Sequence, residues 1–225
     1  MISSTIGGAD GPTSIFLAGF IGDLFIIPAI TILIIFYVIY FTKQISQKRQ
    51  GIQTRQLGRR KEKNIRTTEI LLSLATVTIV PVQLISIFLN WSILPTAARI
   101  AGIVIGIFGD VIFLTAVRTM KNSWRAGIPD KDKTEFISNG IYQYSRNPAF
   151  LGFDLMYTGI LLMYFNLLLF IFTIWLMIML HLQIKQEEAY LSNVFRKKYL
   201  DYKRHTQRYF GRKNEFKTRR ALERV

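Results

Sequence analysis

The sequence predicts an all-α integral membrane protein of about five transmembrane helices, the last two a short hairpin, followed by a cytosolic amphipathic helix. Three observations carry that prediction. Half of the 225 residues are hydrophobic, 17 of them Phe. The apolar residues gather in five runs, Ile15–Phe41, Ile70–Leu89, Ile100–Val117, Phe150–Phe165 and Leu167–Leu182, against the roughly 20 apolar residues that a spanning helix needs. The basic residues lie between the runs. A soluble all-α core is the competing reading, and run lengths of this kind argue against it.

The first run holds Asp23 and Pro28, so its helix is expected to kink or to begin late. It is too long for the apolar core of a signal peptide and no basic segment precedes it. Residues 1–42 thus form an N-terminal segment with the first span. Residues 43–68 are basic, Gln-rich and short of apolar side chains, and predict an exposed cytosolic linker. The second and third runs form an up-down pair joined at Asn90–Thr96, where Trp91 suits the membrane interface and Pro95 stops the helix. The core of the protein is then 69–225. It divides into an aromatic, turn-rich loop (118–147), the helical hairpin turned at Asn166 (148–184) and a C-terminal helix and tail (185–225). In that last segment Leu191, Phe195, Tyr199 and Tyr202 recur at helical spacing and make one apolar face on an otherwise basic helix.

Nine Lys/Arg lie between Lys43 and Arg66, six between Arg118 and Arg146, and 13 from Lys185 onward, whereas residues 1–42 have none. With five spans all the basic segments fall on one side. Positive charge stays cytoplasmic, so the N-terminus is expected outside and the C-terminus inside, in the plasma membrane of a bacterium. The net charge of +15 then calls for no nucleic-acid partner. Anionic lipid headgroups are the expected counterpart. With no cysteine there is no disulfide frame, thiolate nucleophile or Cys-based metal site, and no metal is expected. Oligomeric state leaves no mark on the sequence.

Two short helices joined by a tight turn run antiparallel. Arg146-Asn147-Pro148, at the start of one, is therefore brought near Glu187-Glu188, at the end of the other. A cation, an amide and two carboxylates at a membrane boundary can simply pin the hairpin as a salt bridge. They can also hold a zwitterion. A ligand with an amino group, a carboxylate and a planar base would find acceptors in Glu187 or Glu188, a neighbour for its base in Tyr142, and donors in the loop backbone.

The stretches "MKNSWRAGIPDKDKTEFISNGIYQYSRNPAFLG" and "EEAYLSNVFRKKYLDYKRHTQR" resemble the integral membrane methyltransferases of the isoprenylcysteine carboxyl methyltransferase and phospholipid methyltransferase superfamily. The likeness covers Met120–Arg208. It implies S-adenosylmethionine as cofactor in a cytosol-facing pocket, with a lipophilic acceptor arriving from the bilayer. Tyr142, Asn147, Pro148, Glu187 and Glu188 match cofactor-contacting positions of the signature. Thr134, Glu135, Phe136 and Ile137 match a segment lying along the cofactor, and Arg146 matches the motif arginine. Asn147 stands where eukaryotic members have histidine, and Phe150 where the motif has tyrosine. Gln183 falls about where those members carry a substrate-binding arginine, which argues against a prenylcysteine carboxylate as acceptor.

Methyl transfer from a sulfonium is an in-line displacement in which the protein supplies alignment and excludes water. An amine acceptor must lose a proton, so a base should stand nearby. The ionisable groups inside the runs are Asp110, Asp154 and His181, and such groups tend to face a cavity or a partner. Asp154 and His181 lie at similar depth on the two hairpin arms, about 9 Å in. They are expected either to fix the hairpin by a hydrogen bond or to relay a proton in catalysis, together with Arg146. Asp110 is expected to cap Arg118 or Arg125. Arg125 and Phe150 are the candidate substrate contacts, with snorkelling as the plain alternative for Arg125. A lipid amine or another small lipophilic molecule is therefore the slightly favoured acceptor.

At the other end, "IGGADGPTSIFLAG", residues 6–19, resembles a motif of sodium-pumping decarboxylase β subunits. An ion-transport or accessory role is the alternative from another class, and a catalytically inactive membrane scaffold is a third. Retention of Tyr142, Arg146, Pro148, Glu187 and Glu188 together argues against the scaffold.

Overall fold

The structure, a computed structural model, describes residues 23–52, 54, 57, 63–127 and 135–211. The Gly-rich stretch at 6–19 and Thr134 lie outside the described residues. Among the described residues five α-helices follow in order: α1 (Ile26–Arg49), α2 (Lys63–Phe88), α3 (Thr96–Met120), α4 (Pro148–Met163) and α5 (Leu167–His205). Among the described residues there is no strand. Four of the helices are long and apolar enough to cross a bilayer, and α4, with 16 residues, is the shorter apolar one. Large aliphatic side chains such as Ile34, Val38, Leu74, Val77, Val104, Ile107, Ile171 and Ile178 stand exposed on the outside of the bundle. Water would not tolerate so continuous an apolar surface. The chain is an integral membrane protein.

Among the described residues the first helix begins at Ile26. Asp23 lies before it, its Oδ1 accepting from the backbone N–H of Phe25, and Pro28 falls in the first turn. Asp23 is no stray charge. Its Oδ2 accepts from Arg99 Nη2 at 2.7 Å and from the Tyr164 hydroxyl at 2.8 Å, joining the starts of α1 and α3 to the end of α4.

One expectation needs correcting. Residues 43–68 are not simply an exposed linker, because α1 runs on to Arg49 and carries a fully buried Gln47. The Gln47 amide donates to the carbonyl of Trp124 at 3.0 Å, and its oxygen accepts from Thr54 at 2.6 Å. Thr54 O in turn accepts from Ala126 N. A polar segment becomes buried because its polar atoms find partners in one another and in the 121–127 stretch. The C-terminal amphipathic segment follows the last span without a gap, and two helices meet within Leu167–His205 at a kink at Arg196 (φ 44°, ψ −119°). Up to the kink, at 1.5 Å per residue, the helix is ~45 Å long, more than the hydrocarbon thickness of about 30 Å. The polar part from Gln183 onward therefore projects beyond the membrane.

Helices α3 and α4 approach most closely. A Cβ on Gly102 would lie 2.6 Å from Gly159 O, and one on Gly109 2.6 Å from Met156 N. Small residues let membrane helices bring their backbones together, and this contact fixes where α4 begins. Helix α2 packs against α5. At the turn after α4, Asn166 caps α5 by accepting from Leu169 N at 2.9 Å and donates to Ser86 Oγ at 2.9 Å. The hairpin is thus closed at Asn166, and both of its polar ends point the same way.

Candidate functional site

Arg146 and Glu188 meet as the hairpin geometry predicts. The guanidinium donates to Glu188 Oε1 from Nη2 at 2.9 Å and from Nε at 3.2 Å, and Nη1 donates to the carbonyl of Thr206 at 2.7 Å. Asn147 Nδ2 donates to the same Oε1 at 3.1 Å. Arg208, which the sequence did not single out, completes the cluster with Nη2 to Glu188 Oε2 at 3.0 Å. Burial alone would push the Glu188 carboxyl up, and the hydrogen bonds and charges of Arg208 and Arg146 outweigh it, holding the carboxyl below its ordinary value. Both oxygens of Glu188 are thus engaged by protein groups, and it is not among the residues that line the cleft described next.

The backbone repeats the closure. Arg146 N–H donates to Gln207 O, Gln207 N–H to Gly211 O, and Gly211 N–H to Tyr144 O. Gly211 has φ 121°, a conformation that suits glycine. The 206–211 strap thus folds back onto the start of α4. The arginine of the Arg-Asn-Pro triplet holds this strap in place.

Glu187, one residue away, behaves differently. It lines a cleft together with Glu135, Phe136, Ile137, Tyr142, Asn147 and Tyr202, a space of about 840 Å³ with its open mouth included. Its Oε1 accepts from Gln183 Nε2 at 3.1 Å, and among the described residues no Lys or Arg pairs with it. Burial at the cleft wall pushes its carboxyl up to about 7. The Gln183 hydrogen bond opposes this and the nearby Glu69 charge adds to it. Glu69, fully buried on α2, was not foreseen.

The apolar face read from spacing, Leu191, Phe195, Tyr199 and Tyr202, forms one wall of this cleft. Phe136 packs against it, its ring centroid 5.3 Å from Phe195 and 5.4 Å from Tyr202. The Tyr202 hydroxyl donates to Tyr142 O at 2.6 Å, so the helix grips the turn before the triplet. Burial raises the Tyr142 hydroxyl, which stays neutral.

Arg125 and Phe150 lie in a shared wall. They, with Trp124, Gly127 and Ala149, border both the cleft and a second, strongly apolar chamber among α1, α2, α4 and α5. That chamber is lined by Tyr37, Phe41, Leu72, Val77, Phe153 and Leu180 among others. Phe41 and Val77 are more than half exposed, at 52% and 62%, so it opens on the lipid-facing side.

The remaining expectations fail on geometry. Asp154 and His181 do not meet. The His181 ring is stacked on Tyr209 and hydrogen-bonded through Nδ1 to its hydroxyl, while Asp154 Oδ1 has no partner among the described residues. Neither lines the cleft, because the returning strap places Tyr209 where the relay was expected. Asp110 pairs with neither Arg118 nor Arg125, and its Oδ1 is likewise unpartnered. Pro148 is buried as the first residue of α4 rather than facing the cleft.

The geometry defines a class: a helical membrane protein with a carboxylate-bearing aromatic cleft at the membrane boundary, backed by a lipid-facing apolar chamber. The model of the phospholipid methyltransferase family matches residues 97–198, from the start of α3 into the cleft-lining part of α5. A protein-S-isoprenylcysteine O-methyltransferase of Dictyostelium discoideum is 25% identical over 130 residues, 55% of this chain. The chain spans about half the length of that relative, 55% of it. Over these residues the chain is similar to membrane methyltransferases of the phospholipid and isoprenylcysteine kinds.

Proposed function

We propose that the protein transfers a methyl group from S-adenosylmethionine to a membrane-embedded acceptor, a lipid amine or other small lipophilic molecule in preference to a prenylcysteine carboxylate. The observation that carries this is the wall shared by two unlike cavities, one polar and carboxylate-bearing, the other apolar and open to lipid.

The donor set fits the cofactor. Glu187 offers a carboxylate, without a cation partner among the described residues, to an ammonium or ribose hydroxyl. Phe136, Phe195, Tyr199 and Tyr202 offer apolar faces to a planar base, and Asn147 with the 135–137 backbone offers polar contacts. When bound, the cofactor supplies a sulfonium-borne methyl that an acceptor lone pair takes as the carbon–sulfur bond breaks and its electrons return to sulfur. The side chains hold the two partners in line and exclude water, and alignment alone can supply several kcal/mol of a barrier. Arg146 acts at one remove, tying Glu188 and the strap so that Asn147 and α5 keep their places. The Glu187 carboxyl at the cleft wall, when ionised, favours a cationic acceptor over an anionic one. Excess basic charge at 185–211 supports a cytoplasmic C-terminus, in a bacterial plasma membrane, against anionic headgroups.

The test is binding of S-adenosylhomocysteine to the protein in detergent, followed by methyl-labelled cofactor with membranes. Stable label on lipid supports an amine acceptor and base-labile label an ester. Absence of any binding by calorimetry removes the enzymatic reading.

A further inference from the structure

Asp110 lies outside the cleft and the chamber, on α3, and is 5% exposed. Gly106 stands one turn earlier on the same helix face. There α1 comes close, since a Cβ on Gly106 would lie 2.9 Å from Ile32 Cδ1. Asp110 therefore faces α1 as well. Between the two helices runs a groove of about 820 Å³, its open mouth included, with Asp110 in its wall. Ile27, Ile35, Ile107 and Val111 also line it and are 44–76% exposed, so it opens on the lipid-facing side. Thr31 is the one other lining residue with a polar side chain. No hydrogen bond joins it to Asp110, whose Oδ1 is buried without a partner among the described residues.

At 1.5 Å per residue Asp110 stands ~21 Å from the Thr96 end of α3 and ~15 Å from its Met120 end. That is deep in a hydrocarbon layer of about 30 Å, out of reach of lipid headgroups. A carboxylate at such depth is costly unless it faces a partner. A hydroxyl such as that of Thr31 can hydrogen-bond a carboxyl but cannot balance its charge. A second copy of the chain would bring no Lys or Arg to this depth, because the five apolar runs contain none. The rest of the lining is aliphatic, without an aromatic ring, and suits an alkyl or isoprenoid body.

We propose that this groove binds a lipophilic amine, its nitrogen against the Asp110 carboxyl and its apolar body between α1 and α3. An amine and a carboxyl hold one exchangeable proton between them, so the pair is net neutral whichever group carries it. An alcohol matches only the neutral acid, and a carboxylate adds a second negative charge. The site does not depend on the methyl-transfer reading. The chamber uses α1 at Tyr37, Tyr40 and Phe41, whereas the groove uses Ile35 and Ile39 on another face of that helix.

The test uses the full-length protein in phosphatidylcholine nanodiscs and three probes sharing one branched alkyl body, ending in dimethylamine, hydroxyl or carboxylate. Calorimetry, corrected for partition into empty nanodiscs, is expected to show the amine binding about tenfold or more tighter than the other two. Asp110→Asn should lose that margin and Asp110→Glu should keep most of it. Val111→Phe, which keeps the carboxyl and fills the groove, should also lose it, and decides the matter if Asp110→Asn does not fold. Dicyclohexylcarbodiimide, which enters hydrocarbon and modifies carboxyls there, should label Asp110, as read by mass spectrometry. The amine should protect against that label and the alcohol should not. Equal binding of the three probes by the wild type overturns the inference, as does a margin that survives in Asp110→Asn or Val111→Phe. So does an Asp110 that the carbodiimide does not reach, or that the amine leaves unprotected.

Discussion

Arg146 and Glu188, 42 residues apart in sequence, lie 2.9 Å apart with side chains only 5% and 4% exposed. The adjacent Glu187 faces the cleft instead and has no cationic partner among the described residues. A helical step of about 100° per residue turns neighbouring side chains in different directions. The twin acids are therefore two parts with separate jobs, and their variants should fail in different ways.

Glu188→Ala leaves Arg146 buried beside Asn147 and Arg208 without a counter-charge. Breaking a buried pair by removing one partner costs about 3–5 kcal/mol, discounted here because Arg208 is a third exposed. The expected outcome is a clear drop in thermal stability in detergent, with loosening of the 206–211 strap. Limited proteolysis of the C-terminal segment checks it. A variant that unfolds at the wild-type temperature would contradict the structural role.

Glu187→Ala should do the reverse. It removes no ion pair among the described residues, only the hydrogen bond that Gln183 donates, and should lower the unfolding temperature less than Glu188→Ala does. A charge-assisted hydrogen bond contributes about 1.5–3 kcal/mol, so S-adenosylhomocysteine affinity should fall roughly 10- to 100-fold. Calorimetry showing less than a twofold change would take Glu187 out of the cofactor site.

The same carboxyl gives a pH signature. Its value is raised to about 7, first by burial and further by Glu69, against the pull of Gln183. Below that pH it is protonated and loses its attraction for an ammonium. Above it the carboxylate is formed. Affinity should therefore be highest on the alkaline side and fall as pH drops from about 8 to about 6. Glu188, held below its ordinary value, stays charged across this range and contributes no step. Glu187→Gln should flatten the profile, and a profile with the same slope in that variant would assign the titration elsewhere.

Much of this was legible in the sequence for identifiable reasons. Apolar runs gave the helices because lipid demands length and intrahelical hydrogen bonds. Antiparallel folding about Asn166 brought Arg146 to Glu188, and helical spacing named the cleft wall at Leu191, Phe195, Tyr199 and Tyr202. What stayed hidden was which of two adjacent acids faces the cleft, since that depends on rotation about α5. Arg208 and Tyr209 were hidden too, because a strap that folds back after the helix leaves no periodic pattern. The Asp154–His181 relay failed on the same strap. Glu69 and Gln47 look like surface residues by type, and only packing of α2 on α5 and of α1 on the loop buries them.

Gln47 supplies the last prediction. It sits at the polar end of α1, fully buried, bonding the Trp124 carbonyl and the Thr54 hydroxyl. Trp124 borders both the cleft and the apolar chamber, so this amide sets the position of their common wall. Gln47→Leu keeps the volume but leaves the carbonyl and the hydroxyl unpaired, each costing about 1–3 kcal/mol when buried. The 121–127 stretch would relieve that cost by moving toward water, which displaces Trp124. The variant should thus lose S-adenosylhomocysteine affinity although Gln47 does not line the cleft, and its Trp fluorescence should shift to longer wavelength. Gln47→Glu, which keeps the acceptor for Thr54 and loses the donor for Trp124, should show the same spectral shift. If both variants bind and fluoresce as the wild type does, Gln47 does not position the wall.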